Sequence, residues 1–297
     1  MKVETYETVS PLGAYRPMMT GHGNSIGAIL VTQGKLSVEN VDQVMALQHR
    51  EGWRFGEAAM RLSLIDHADL LDALHKQYDL PMRSAGANMS SELVAVHSPD
   101  HGCNEELRAL RTRLLLRWRQ AGATRRVLAV ISPCGGEGRS YVAANLAVLF
   151  SQLGERTLLI DGDFRRPRQH RIFGLPDRVG LSAVLSGRAD RHVVQAIPGF
   201  HHLAVLPAGA PPPKPLELLS RPALVDLLDA YAAEFDVILI DTAPANLFSD
   251  AQVVAYHAGS ALVVTRLGHT RLAETHRVVK HLGDGGVAIL GALLNAC

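Results

Sequence analysis

Three aspartates and one glycine-rich heptapeptide carry the residue types that phosphate chemistry requires. The heptapeptide is Gly135, Gly136, Glu137, Gly138, Arg139, Ser140 and Tyr141. Glycines let successive backbone amides turn toward phosphate oxygens, and a helix starting there adds the positive end of its dipole. Ser140 stands where a hydroxyl would reach Mg2+. Asp161 and Asp163 close the run LLIDGD, and Asp241 closes VILID. Carboxylates at strand ends beside a phosphate loop hold or orient Mg2+ and polarise a nucleophile. One aspartate at such a place could be only a helix cap; three of them beside one loop favour nucleotide chemistry. The loop departs from its usual form at Arg139, which takes the place of the lysine that contacts the β- and γ-phosphates. Arginine keeps the charge and can fork onto oxygens, but it is longer and planar.

Those residues need elements to hold them. RVLAVIS, RTLLIDGD, LAVLPAG, FDVILIDTAP and SALVVTR are short Val/Leu/Ile-rich runs bounded by turn residues. Continuous apolar runs suit strands buried on both faces, and the segments between them are long enough for crossover helices. The pattern predicts an α/β domain with a doubly wound, mostly parallel sheet, whose ligands gather at the carboxyl ends of the strands. The glycine loop follows the first run and precedes the helical stretch YVAANLAVLFSQLG, the strand–loop–helix context a phosphate loop requires.

Composition narrows the function further. The 297 residues are 47% hydrophobic and 20% charged, with net charge +1, so a packed globular chain is expected and nucleic-acid binding is not. Three scattered cysteines suit a reducing cytosol rather than a disulfide framework or zinc knuckle. Fourteen histidines lack a metal-ligand frame. With no signal-peptide pattern and no long apolar run, a soluble protein is expected, meeting the membrane only through a partner.

The front of the chain repeats itself. SIGAILVTQGKLSVENVDQVMALQ (residues 25–48) and RFGEAAMRLSLIDHADLLDALHKQ (residues 54–77) are units of equal length, and Ser37 and Asp66 stand at N-cap positions before their second helices. The expected organisation is a flexible lead-in at 1–20, a small helical tandem-repeat domain at 21–82, a linker at 83–104 and the large domain at 105–297.

Two resemblances attach to these motifs. SPCGGEGRSYVAANLA, LLIDGDFRRPRQHRIFG and VILIDTAP resemble the Walker A, A′ and B motifs of bacterial tyrosine kinases, P-loop enzymes with a MinD/ParA-like ATPase fold. The resemblance implies Mg·ATP on residues 135–141, Ser140 and Asp163 at the metal, and a catalytic set of Arg139, Asp161, Asp163 and Asp241, with Asp161 nearest to a base role. Glu105, Arg108 and Arg111 match the ExxRxxR pattern that family uses between subunits, which implies a homo-oligomer; a solvated charged stripe is the plainer reading. The front repeat resembles the MshEN domain of type II secretion ATPases, many of which bind cyclic di-GMP. That places a ligand at Ile26, Gly27, Arg54, Phe55 and Gly56, although Ser25 and Ser63 replace an arginine and a glycine of the motif. A purely structural or docking module remains equally open.

The pairing of both parts resembles the EpsG-type chain-length-determinant tyrosine kinases of exopolysaccharide clusters. It implies a cytoplasmic enzyme, peripheral to the inner membrane, activated by a membrane-embedded Wzz-type partner. The competing reading is a MinD/ParA-class nucleotide switch with little kinase activity. Against a positioning ATPase, Cys134 occupies the place of its signature lysine. The usual C-terminal tyrosine cluster is missing. Tyr6 and Tyr15 are the expected acceptors, with Tyr78, Tyr141, Tyr231 and Tyr256 expected to pack within elements.

Overall fold

Capping residues and apolar spacing produce four short helices at the front of the chain: α1 (Ile26–Thr32), α2 (Val38–Glu51), α3 (Phe55–Arg61) and α4 (His67–Gln77). Ser25 accepts from the amide of Ala28 at 3.3 Å and Ser37 from that of Asn40 at 3.2 Å, satisfying helix N-terminal donors. Asp66 and Asp69 exchange side-chain-to-amide hydrogen bonds across the start of α4 (2.7 and 3.2 Å), a reciprocal cap. The apolar faces meet in a core of Ile29, Leu30, Leu36, Val44, Ala58, Ala59, Ile65 and Ala73.

This computed structural model describes residues 25–77, 89–98, 102–120 and 126–296, with the side chain of His75 left aside. The lead-in read at 1–20, with Tyr6 and Tyr15, and Tyr78 lie outside the described residues. The chain divides into two units, residues 1–78 and 79–297.

The second unit is built on a seven-stranded sheet. Its strands are β1 (Val127–Ile131), β2 (Thr157–Asp161), β3 (Gln195–Ala196), β4 (Leu203–Leu206), β5 (Val237–Asp241), β6 (Ser260–Arg266) and β7 (Ala288–Asn295). They lie in the order β3-β4-β2-β5-β1-β6-β7, all neighbours parallel except β3 with β4. Helices α5 (Val94–His97), α6 (Gly102–Gln120) and α7 (Arg139–Ser151) share one core with one set of strand residues. On the other face, core residues come from α9 (Leu181–Leu185), α10 (Pro215–Leu219), α11 (Pro222–Ala232), α12 (Asp250–Ala258) and α13 (Leu272–Asp284); α8 (Gln169–Ile172) contributes Ile172 to the first. Along β1, Val127, Ala129 and Ile131 enter one core and Leu128 and Val130 the other. Burial on both faces is why these strands read as unbroken apolar runs.

Residues 83–104, expected as a linker, differ from that reading where they are described. Leu93 and Ala95 are buried, and the amide of Ser90 donates to the carbonyl of Ile172 at 2.9 Å. Buried Asn145 on α7 accepts from the amide of Ala95 at 3.0 Å and donates to the carbonyl of Glu92 at 2.9 Å. The segment is held by partners distant in the chain, among them Asn145 and Ile172, which leave no periodic mark on its own sequence. The large unit therefore takes in α5 and the start of α6 at Gly102.

Candidate active site

The loop between β1 and α7 is shaped by two glycines and clamped by a distant part of the chain. Gly136 (φ 77°) and Gly138 (φ 88°) lie in the left-handed region, which a side chain would strain. Gly138 also caps α7, so the amides that open this helix face the loop's concave side with the positive end of the dipole. Glu137 is buried; its carboxylate accepts from the amide of Cys134 at 2.7 Å and from the hydroxyl of Thr270. Arg266 donates to the carbonyl of Gly136 at 3.2 Å and Asn295 to that of Glu137 at 3.2 Å. Thr270, Arg266 and Asn295 were not expected from sequence. They sit at or just beyond the ends of β6 and β7, the strand ends where an open sheet gathers its ligands, and that is the one signal pointing to them.

The three aspartates do converge, because β5 lies between β2 and β1. Asp161 and Asp241 are register partners across β2 and β5, and both are fully buried. Burial, with Asp241 beside it, pushes the Asp161 carboxyl well above the usual range. Its oxygens accept from the amides of Asp163 (3.2 Å), Arg168 (3.0 Å) and Gln169 (2.9 Å), so it folds the turn after β2. Its carboxylate is fully buried against that turn and is not among the residues that line the cavity described next. Asp163 does line it. Burial pushes the Asp163 carboxyl up, against the amides of Arg166 and Arg165 and the Arg139 guanidinium, which pull it down.

Arg139 is turned inward. Its guanidinium donates to Ser132 Oγ at 2.5 Å and to Asp163 at 3.2 Å, and its Nε faces Asp241 Oδ1 at 3.4 Å without hydrogen-bond alignment. That Nε and that Oδ1 are both buried with no hydrogen-bond partner. The other oxygen of Asp241 accepts from Gln169 at 2.9 Å, and the same amide group donates to the carbonyl of Ser140 at 3.1 Å. Gln169, absent from the sequence reading, thus joins loop to carboxylates.

Above this cluster opens a cavity of about 460 Å³, lined by residues 135–140, by Asp163, Arg165, Arg166 and Arg168, and by Pro244, Leu247 and Phe248. Tyr141 is half-buried on the first turn of α7, packs against the core and does not line it. Among the described residues no group of three or more Asp, Glu, His or Cys is arranged to hold a metal alone. Mg2+ needs few protein ligands when phosphates and waters complete its shell. The Ser140 hydroxyl and the Asp163 carboxylate beside the cavity, with the buried Asp241 oxygen that faces Arg139 without a hydrogen bond, are hard oxygen donors and fit that ion.

The other expected sites are less convergent. Arg108 pairs with Glu105 at 3.2 Å on α6, whereas Arg111 reaches inward to the carbonyl of Leu149 at 2.8 Å. Gly27 and Gly56 are buried by close packing; a methyl at Gly56 would come within 2.5 Å of Leu70 and one at Gly27 within 3.1 Å of Phe55. Ile26 and Phe55 also pack on that core, while Arg54 is exposed. A cavity of about 440 Å³ in this unit is lined by Trp53, Glu57, Met60 and Arg61, none of the five residues expected to bind a ligand. Tyr256, expected to pack, is 65% exposed, and Tyr231 is buried with its hydroxyl donating to the carbonyl of Arg191 at 2.6 Å.

Comparison with known proteins places these features. No family model matches the chain. Tyrosine-protein kinase YwqD of Bacillus subtilis is 33% identical over 215 residues, 72% of this chain and 89% of YwqD. EpsB of Ralstonia nicotianae is 34% identical over 223 residues, but the chain spans only 29% of its length. Among solved structures, the kinase domain of Escherichia coli tyrosine kinase ETK superposes with a TM-score of 0.65 at 32% identity, covering 69% of this chain and 79% of that one. MinD from Pyrococcus horikoshii, solved with Mg-ADP, gives 0.51 at 30% identity, covering 57% of this chain and 70% of that one. The glycine loop, the converging aspartates and the YwqD match lead to one conclusion: the chain belongs to the bacterial tyrosine-protein kinases, with a MinD-like P-loop fold.

Proposed function

We propose that the protein is an ATP-dependent tyrosine autokinase that acts in exopolysaccharide chain-length control and export. The observation that carries this reading is the cavity, where a glycine loop on a helix N-terminus faces Asp163 and a row of arginines. The loop amides and the start of α7 would bind the phosphates, and Ser140, Asp163 and Asp241 would hold Mg2+ directly or through water. That site would supply charge neutralisation for the transferred phosphoryl group. The acceptor tyrosine oxygen bonds to the γ-phosphorus, and the bond from that phosphorus to the bridging oxygen breaks. ADP leaves with the electron pair, and the hydroxyl proton passes to solvent at the cavity mouth. A loose transition state needs little help from a base, so the buried position of Asp161 is no obstacle.

The finer parts of the reading are a cytoplasmic location and a Wzz-type membrane partner that activates an EpsG-type kinase. They are supported by YwqD, a tyrosine kinase of which the alignment covers nearly the whole length. Among the described residues no helix is long and apolar enough to cross a membrane. Self-association through Glu105 and Arg108 belongs to the same reading, with Arg111 serving inside the chain.

An MshEN-like tandem repeat at the front is supported by spacing. Helices α3 and α4 begin 29 positions after α1 and α2, and the eight core residues form four pairs at that interval. Ser63, at φ 54° the only described non-glycine residue with positive φ, stands 29 positions after Gly34 at φ 69°. Cyclic di-GMP as its ligand has weaker support, since Gly27 and Gly56 are accounted for by packing.

The test is incubation with γ-labelled ATP, with and without the cytoplasmic segment of the membrane partner. Labelled tyrosine supports the kinase, and mapping the label decides between Tyr256 and the tyrosines of the lead-in. Phosphate release without labelled protein favours a nucleotide switch, a reading the inward-turned Arg139 keeps in play. Calorimetric titration with cyclic di-GMP tests the front unit; no heat at high micromolar ligand would sink that part.

A further inference from the structure

Four arginines line the cavity, and three of them are already engaged. Arg139 is held by Ser132, Asp163 and Asp241, so its guanidinium is committed to those groups. Arg165 forks onto the buried carboxylate of Asp250 at 2.9 and 3.3 Å and lies 4.3 Å over the ring of Phe248. Arg168 reaches Glu92 at 2.7 Å. The fourth, Arg166, is exposed and makes no ion pair among the described residues. Its backbone is nonetheless fixed: its amide donates to Asp163 Oδ1 at 2.9 Å, and Pro167 follows it. An unneutralised guanidinium on a pinned backbone, in the cavity that holds the phosphate loop, is equipped to bind a dianionic phosphate bidentately.

We infer that Arg166 recognises the terminal phosphate of the nucleoside triphosphate, taking over the charge that a loop lysine supplies elsewhere and that Arg139 spends on the carboxylates. This rests on the nucleotide reading above. The consequence is selectivity: Arg166 favours a triphosphate over a diphosphate and leaves the α- and β-phosphates to the loop amides.

The test measures binding of ADP and of an ATP analogue with a non-hydrolysable β–γ bridge to the full chain with Mg2+. It compares the wild type, Arg166→Ala and Arg166→Lys, with thermal melts to verify folding. Loss of one charge-assisted contact should weaken the triphosphate by roughly 10- to 100-fold. ADP affinity should change by less than about threefold, and Arg166→Lys should fall between wild type and Arg166→Ala. An unchanged ratio of triphosphate to diphosphate affinity in Arg166→Ala, whether both weaken equally or neither does, would overturn the inference. If the wild type binds neither nucleotide, the nucleotide reading itself falls and this inference with it.

Discussion

Replacing Arg139 by methionine tests whether this side chain belongs to the carboxylate cluster or to the phosphates. The guanidinium bridges Asp163 and Asp241, with side-chain exposures of 8%, 3% and 0% for the three groups, so solvent screens the interaction weakly. Removing one partner of a buried ion pair leaves uncompensated charge and costs about 3–5 kcal/mol. For a unit of this size that is a drop of roughly 6–20 °C in melting temperature. The sign of the pH dependence follows from Asp163, whose carboxyl burial already raises and whose pKa Arg139 pulls down. Without Arg139 the carboxyl rises further. A carboxyl with a higher pKa in the folded than in the unfolded state loses stability as pH climbs through that interval. The deficit should therefore be large at pH 8 and smaller at pH 5, where proton uptake relieves the repulsion. Scanning calorimetry of both proteins in EDTA at the two pH values is the assay. A deficit under about 1 kcal/mol at pH 8, equal to that at pH 5, would mean that Arg139 does not sit between the carboxylates. Adding Mg2+ should stabilise the variant more than the wild type, because the ion no longer competes with a guanidinium.

Further outcomes are expected elsewhere. Gly138→Ala combines φ 88° with a methyl driven into the amide of Asn295, so it should cost about 1–3 kcal/mol and weaken nucleotide binding at least tenfold, as read by calorimetry. Asp161→Asn should destabilise by about 1–3 kcal/mol in urea unfolding, because backbone amides donate to both of its oxygens and an NH2 group in either place meets a donor. Ser63→Gly relieves a left-handed serine and should stabilise the helical unit by about 0.5–1 kcal/mol, visible as slower amide exchange in α3 and α4.

Much of this molecule was legible in its residues. The strands were visible because their two buried faces demand unbroken apolar runs, and the loop because backbone at positive φ calls for glycine at Gly136 and Gly138. The second unit's reach into residues 89–98 was hidden, since it rests on contacts with residues far along the chain, such as Asn145 and Ile172. Exposure of Tyr256 was hidden as well, because helix α12 alternates buried and open positions that the sequence does not label.

By itself, then, the sequence determined the element types and the chemistry available: a phosphate loop, three carboxylates and a run of arginines. Tertiary structure decided how they were assigned. Strand β5, more than seventy residues beyond β2 in the chain, lies between β2 and β1 and brings Asp241 beside Asp161 and Arg139. Asn295 and Thr270 clamp a loop more than 130 residues before them. Arg139 stands where a phosphate-contacting lysine is expected, yet two buried carboxylates claim it. Local sequence specifies what a side chain can bind; which partner it meets depends on strand order, because burial makes the nearest opposite charge prevail.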